Sequence, residues 1–336
     1  MRRWINLTKG ISIILVVMLH TTLGIEKELG EGGFLLAVVA WAKPFRIPDF
    51  FLICGYLAAG IGTLNWRRFL DRKVLRYVYF YVLWLVIVLT IKAFGDGPAS
   101  VPDLAKSIAV GLIEPFSTLW FIYILPFFML AARFCRGWLA VVMTVGAVLL
   151  HMWAAAYPAG GNYALDTQAT PFMAINSFAL FFIFFLIGYL CHERIDALLD
   201  FVRRRPLFAA GLIALWAGAH SYALHLGLPG IPGLSLMFGL LGGLALMAVA
   251  RLAEHLPGLG WLAYCGQHSL AIYLAFVVPM AASREFLLRT GLVVQPDLLT
   301  ILVLILAVGG PLLLERAVRG RAPGFLFARP RWATLS

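Results

Sequence analysis

The stretch Trp4-Ile-Asn-Leu-Thr-Lys-Gly-Ile-Ser-Ile-Ile-Leu-Val-Val-Met-Leu-His20 decides the reading of this chain. It is apolar enough to lie in a bilayer, yet it carries a lysine at 9 and a histidine at 20. The two are eleven residues apart. At roughly 3.6 residues per turn that is three turns, so both project from one helix face, about 16 Å apart along the axis. Ionisable groups in a membrane-length helix are costly and face a protein interior or a wet cavity. Lys9 and His20 therefore mark a candidate site. The competing structural reading is a histidine packed at a helix end and bonded to a carbonyl.

Composition supports the membrane assignment. The chain is 62% hydrophobic and 13% charged, with a mean hydropathy of +0.91. Soluble domains are about 45–50% apolar and about 25% charged. The four cysteines (Cys54, Cys135, Cys191, Cys265) are scattered and suggest neither a disulfide framework nor a zinc site. The net charge of +11 would hint at nucleic acid in a soluble protein. Here the basic residues sit between apolar segments, so topology accounts for them and no nucleic-acid partner is expected.

The expected fold is an all-α polytopic membrane protein, because about twenty apolar residues cross a bilayer. Ten spans are read at 4–24, 47–64, 74–94, 113–133, 138–157, 174–192, 207–226, 234–251, 260–282 and 298–315. The apolar stretch 34–46, broken by Pro44 and Pro48, reads as interfacial or re-entrant. The first segment reads as a retained anchor, since it lacks a small-residue cleavage site. With the N-terminus inside, twenty of the 27 basic residues fall on the cytoplasmic side, which favours both termini inside. Residues 1–320 are expected to form one membrane domain and 321–336 a short cytoplasmic tail. No internal repeat is visible, which weighs against common transporter architectures.

Short motifs add a family resemblance. Thr8-Lys-Gly through His20 resembles the first helix of the acyltransferase-3 family of integral membrane acyltransferases, a basic residue followed by ten residues and histidine. Pro48-Asp-Phe-Phe-Leu-Ile-Cys-Gly-Tyr56, Lys73-Val-Leu-Arg76, Leu119-Trp120-Phe121 and Gly266-Gln-His-Ser-Leu-Ala-Ile-Tyr-Leu274 resemble its later signatures, in order. Trp4-Ile-Asn and Pro44-Phe-Arg-Ile-Pro48 look most like its YcfT-like branch. This chain departs from the pattern at four places. Lys9 and Lys73 stand where arginine is usual, Cys54 where serine is usual, and Phe276 where many members have histidine. Lysine keeps the charge but loses the two-pronged grip on phosphate.

The resemblance implies transfer of an acyl group, commonly acetyl, from cytoplasmic acyl-CoA to a hydroxyl of an extracytoplasmic glycan or lipid-linked sugar. It also implies a bacterial inner-membrane location, a carbohydrate acceptor, a lipid bilayer as surroundings, and no metal. On that reading His20 is the general base, with Arg46, Tyr56 or a backbone amide near Gly55 as oxyanion donor and Glu114 as a group that orients His20 or binds acceptor hydroxyls. Lys9, Arg72, Lys73, Arg76, Tyr56 and Tyr273 are the candidate donor-binding residues. Asp49 and Trp120 are candidates for acceptor binding; alternatively, Asp49 pairs with Arg46 or caps the second span. The basic run 67–76 also reads as ordinary positive-inside flanking. A transporter or flippase, with Lys9 and His20 lining a solute or proton path, is the alternative function. A non-catalytic relative is a third, kept open by Phe276.

Overall fold

The computed structural model describes residues 2–30, 33–95, 100–156, 173–293 and 295–335. Among them the chain is helical, with no strand. The first half carries α1 (Arg3–Leu29), α2 (Phe34–Leu57), α3 (Trp66–Phe69), α4 (Arg76–Gly95), α5 (Val101–Ile113), α6 (Trp120–Arg133) and α7 (Trp138–Ala156). The second half carries α8 (Met173–Leu190), α9 (His192–Arg204), α10 (Pro206–His225), α11 (Leu234–Ala253), α12 (Gly260–Gln267), α13 (Ser269–Ala275), α14 (Val277–Thr290) and α15 (Pro296–Val318). Among the described residues, eight stretches are long and apolar enough to cross a membrane, or nine if the bent pair α13–α14 is one span. The chain is thus a polytopic membrane protein. α2 stands outside that count because Lys43, Arg46 and Asp49 sit in its middle. Residue 157, the last of the expected fifth span, lies outside the described residues.

Prolines redraw two expected boundaries. Residues 34–46 are not a separate interfacial segment. They form one 24-residue helix with 47–57, running through Pro44 and Pro48. Helices in a bundle tolerate the freed carbonyls when neighbours cover them, and Gly239 of α11 sits directly against the Pro48 ring. The expected span 260–282 is instead broken into α12, α13 and α14, with a 54° bend between the last two. Pro279 explains the bend, because its ring excludes the carbonyl four residues back, at Ala275. The expected span 113–133 is interrupted at Glu114, Pro115 and Phe116 and resumes through a 3₁₀ turn, Ser117–Leu119, with Ser117 at φ 47, before α6 opens at Trp120.

The described residues divide into two compact units. The first comprises the described residues within 1–59, 144–156 and 179–312; the second comprises those within 60–143, 173–178 and 313–335. In the first unit α1 and α2 are antiparallel. The Trp4 and Tyr56 rings meet edge to face at 5.4 Å, while farther along Ser12 bonds Asp49. Small residues set the close approaches. A Cβ on Gly10 would strike the Leu262 carbonyl, and one on Gly266 the Asn6 carbonyl. Membrane helices without a hydrophobic drive to associate gain packing energy at such crossings. Tyr56 and Arg2 both bond Asp196 of α9, fixing the end of this pair.

In the second unit Arg133 ties the 61–64 turn, donating to the Ile61 and Leu64 carbonyls at 2.7 Å each. Its guanidinium lies over Trp66 and Phe69, 4.2 and 4.6 Å from the ring centroids. Burial pushes the nearby Cys135 thiol up from its usual pKa, so that cysteine stays protonated and inert. The C-terminal residues are strapped to the start of the α3–α4 segment. Arg329 donates to the Asp71 backbone carbonyl at 2.8 Å and to its carboxylate at 2.5 Å. The Leu335 amide adds a third bond to Asp71 at 2.8 Å. Tyr79 and Trp84 donate to the carbonyls of Phe325 and Leu326. Hydrogen bonds to charged groups contribute about 1.5–3 kcal/mol each. Arg329→Gln should therefore destabilise the protein by about 1.5–3 kcal/mol, read as an earlier melting transition and faster proteolysis of the C-terminal residues. Wild-type protease resistance in that variant would mean the strap is not held by this pair.

Candidate active site

The first unit gathers His20, Arg46 and Asp49 with Ser12, which the sequence did not single out. Arg46 and Asp49 are one turn apart on α2, and both are fully buried. α2 places them there because it continues through its prolines. α11 holds that face in position: a Cβ on Gly242 would strike Phe45, and one on Gly243 would lie 3.4 Å from the Asp49 Cα.

Several polar atoms of this group have no hydrogen-bond partner among the described residues. Arg46 Nη1 donates to the Val39 carbonyl at 3.4 Å, a long bond. Its Nε and Nη2 are buried with no partner, as are Asp49 Oδ1 and His20 Nδ1. Such groups are expensive to leave unpaired. Ser12 Oγ donates to the Thr8 carbonyl at 2.7 Å and also contacts Asp49 Oδ2. The Ser12 hydroxyl is thus shared between the Thr8 carbonyl and the Asp49 carboxyl. No ion pair joins Asp49 to Arg46 among the described residues. Asp49 is also no helix cap, since α2 begins at Phe34.

His20 stands on α1 within electrostatic reach of the Arg46 guanidinium. Its ring is half-buried and tilted against Phe276, 5.4 Å between centroids. Phe276 is fully buried and sits at the α13–α14 bend. The ring that replaces the family's histidine therefore packs on the candidate base itself. Arg284 of α14 reaches the same helix face one turn farther on, where its guanidinium lies directly against Gly24.

The remaining candidates fall in several places. Tyr56 is committed to Asp196 by a 2.8 Å bond, ten residues along α2 from Arg46. Lys9 is half-buried and Tyr273 buried, both in the first unit. Glu114, Trp120, Arg72, Lys73 and Arg76 belong to the second unit. Glu114 closes α5 as its C-cap. Trp120 opens α6 with its ring on Phe121. Arg72 and Lys73 occupy a π-helical turn, Leu70–Leu75, just before Arg76. Arg72 and Arg76 are exposed, which suits an anion-binding surface. π turns often accompany functional positions.

Sequence comparison places the whole of this arrangement in a known context. The inner membrane protein YcfT of Escherichia coli (strain K12) is 25% identical over 250 residues, covering 66% of each chain. This chain thus spans just under two thirds of that relative's length. No solved structure matches. The family model described as an acyltransferase domain matches residues 2–316, nearly the full length, and the chain belongs to that acyltransferase family.

Proposed function

We propose that this protein is a transmembrane O-acyltransferase, moving an acyl group, acetyl in the simplest case, from cytoplasmic acyl-CoA to a hydroxyl of an extracytoplasmic glycan or lipid-linked sugar. The observation that carries this reading is the pairing of an uncommitted imidazole, His20, with a buried guanidinium whose Nε and Nη2 have no partner. Acyl transfer needs a base for the attacking hydroxyl and donors for the oxyanion. His20 takes the hydroxyl proton, and the oxygen attacks the thioester carbonyl. The carbonyl oxygen becomes an oxyanion facing Arg46, and collapse expels the CoA thiolate, which takes up the proton. Lys9 lines the route of the pantetheine arm, and Arg72, Lys73 and Arg76 hold the CoA phosphates. Glu114 and Trp120 contact the acceptor side. The cellular setting is the bacterial inner membrane, as the name of the Escherichia coli relative suggests.

The test is thioester loss from acetyl-CoA by purified protein, together with acyl-CoA binding. Neutralising Lys73 and Arg76 together (Lys73→Gln, Arg76→Gln) should weaken acyl-CoA binding at least tenfold. Binding at wild-type strength in that double variant would remove the basic turn from the donor site. Solute flux without thioester loss would instead favour a transporter.

A further inference from the structure

Arg46 lies within electrostatic reach of His20, Arg284 packs against Gly24 one helical turn farther along α1, and neither is in an ion pair among the described residues. Arg46 is fully buried with two nitrogens unpartnered. Arg284 lies against Gly24, and its Nε is also buried without a partner. Gly24 is one helical turn beyond His20, so the Arg284 guanidinium and the imidazole share a face of α1. The two arginines come from α2 and α14, so their placement along α1 is a tertiary arrangement rather than a helical repeat. Asp49, the buried carboxyl one turn from Arg46, bonds Ser12 through Oδ2 and makes no ion pair with either arginine among the described residues.

A guanidinium whose buried Nε has no partner is costly, and an anion binding at Arg284 removes that penalty. Under the acyl-transfer reading, on which this inference rests, Arg46 faces the reacting carbonyl. That leaves Arg284 for a different group, about one turn farther along the helix. We infer that Arg284 binds an anionic group of the acceptor, a carboxylate or a phosphate, and so makes this an enzyme for acidic rather than neutral acceptors. Guanidinium is suited to both, because its planar edge offers two parallel N–H donors. Lys43, exposed and one turn from Arg46 on α2, adds to the positive field at this end.

Two sources present this chemistry: a uronic-acid sugar and the phosphate of a polyprenyl-linked sugar. The experiment measures binding, so it does not depend on turnover. Wild type, Arg284→Gln and Arg284→Lys, reconstituted in nanodiscs, are titrated with four probes. These are oligogalacturonate, a neutral galactose oligomer of equal length, polyprenyl phosphate and polyprenol. The expected result is at least tenfold tighter binding of one anionic probe than of its neutral counterpart. That preference should be lost in Arg284→Gln, partly kept in Arg284→Lys, and weakened by added chloride. Preference for oligogalacturonate assigns a sugar carboxylate, and preference for polyprenyl phosphate a lipid-linked phosphate. Equal binding of charged and neutral probes, or an unchanged preference in Arg284→Gln, overturns the inference. Should Arg284→Gln fail to fold, the charge-retaining lysine variant and the chloride titration of wild type decide it. Absence of thioester loss with any donor, alongside a preference lost in Arg284→Gln, would overturn acyl transfer while leaving the anion site standing.

Discussion

Replacing His20 with alanine lowers acyl transfer by roughly 10²–10⁴-fold, the contribution of a well-placed general base. The fold should survive the change. The ring's Nδ1 has no partner, so its removal orphans no other group. The ring packs on Phe276 and lies in the field of Arg46. Removing a ring beside a buried cation relieves repulsion whenever the imidazole is charged. Loss of turnover with an unchanged melting temperature and unchanged acyl-CoA affinity is therefore the expected pattern. His20→Gln should fall as far as His20→Ala, since an amide cannot take up the proton. The rate of CoA thiol release, followed in single turnover at saturating donor and acceptor, measures the step directly. Wild-type release in either variant would sink the mechanism, and would leave His20 as a packing residue against Phe276.

Much of this architecture is visible in the residues, for reasons that are local. Lipid serves as solvent for apolar helices, so hydropathy alone reveals a polytopic helical chain. Lys9 and His20 stand out because ionisable groups are rare in such segments. What the sequence hides depends on neighbours far along the chain. Pro44, Pro48 and Pro279 look alike in sequence. The first two leave α2 continuous, while the third accompanies a 54° bend. The difference lies in what packs around each, and no local pattern encodes it. Arg46 reads as lying outside the second span, whereas it is in the middle of α2 and fully buried. Asp49 reads as a cap or a partner of Arg46, because Ser12 is 37 residues away and looks like any small polar residue of a membrane helix. Arg284 counts only as an outer-side charge until α14 lays it against Gly24. The C-terminal residues read as a tail, yet Arg329 and the Leu335 amide converge on Asp71, about 260 positions earlier.

Gly266→Val should be the most destabilising single substitution in the first unit. A Cβ at this position would overlap the Asn6 carbonyl and lie 2.7 Å from the Gly10 nitrogen. Both obstacles are backbone of α1, so no rotamer change can clear them. α12 must move away from α1, and the tight crossing that stabilises the pair is lost. Overpacking a well-filled core costs about 1–3 kcal/mol, occasionally more, and a backbone obstruction belongs at the upper end. β-branching adds bulk at the same point. The effect should reach the active site as well. α12 leads through α13 to Phe276 on the His20 ring, and through α14 to Arg284. A displaced α12 carries both, so protein that does fold should turn over more slowly than its stability alone explains. Gly309→Ala is the control, because nothing lies within 4 Å of a Cβ there. It should melt at or slightly above the wild-type temperature, as glycine in a helix costs roughly 0.5–1 kcal/mol relative to alanine. Thermal unfolding in detergent, followed by circular dichroism, compares the two. If Gly266→Val melted with the control, α12 would not be seated on α1 through this glycine, and the route from that crossing to His20 would have to be abandoned.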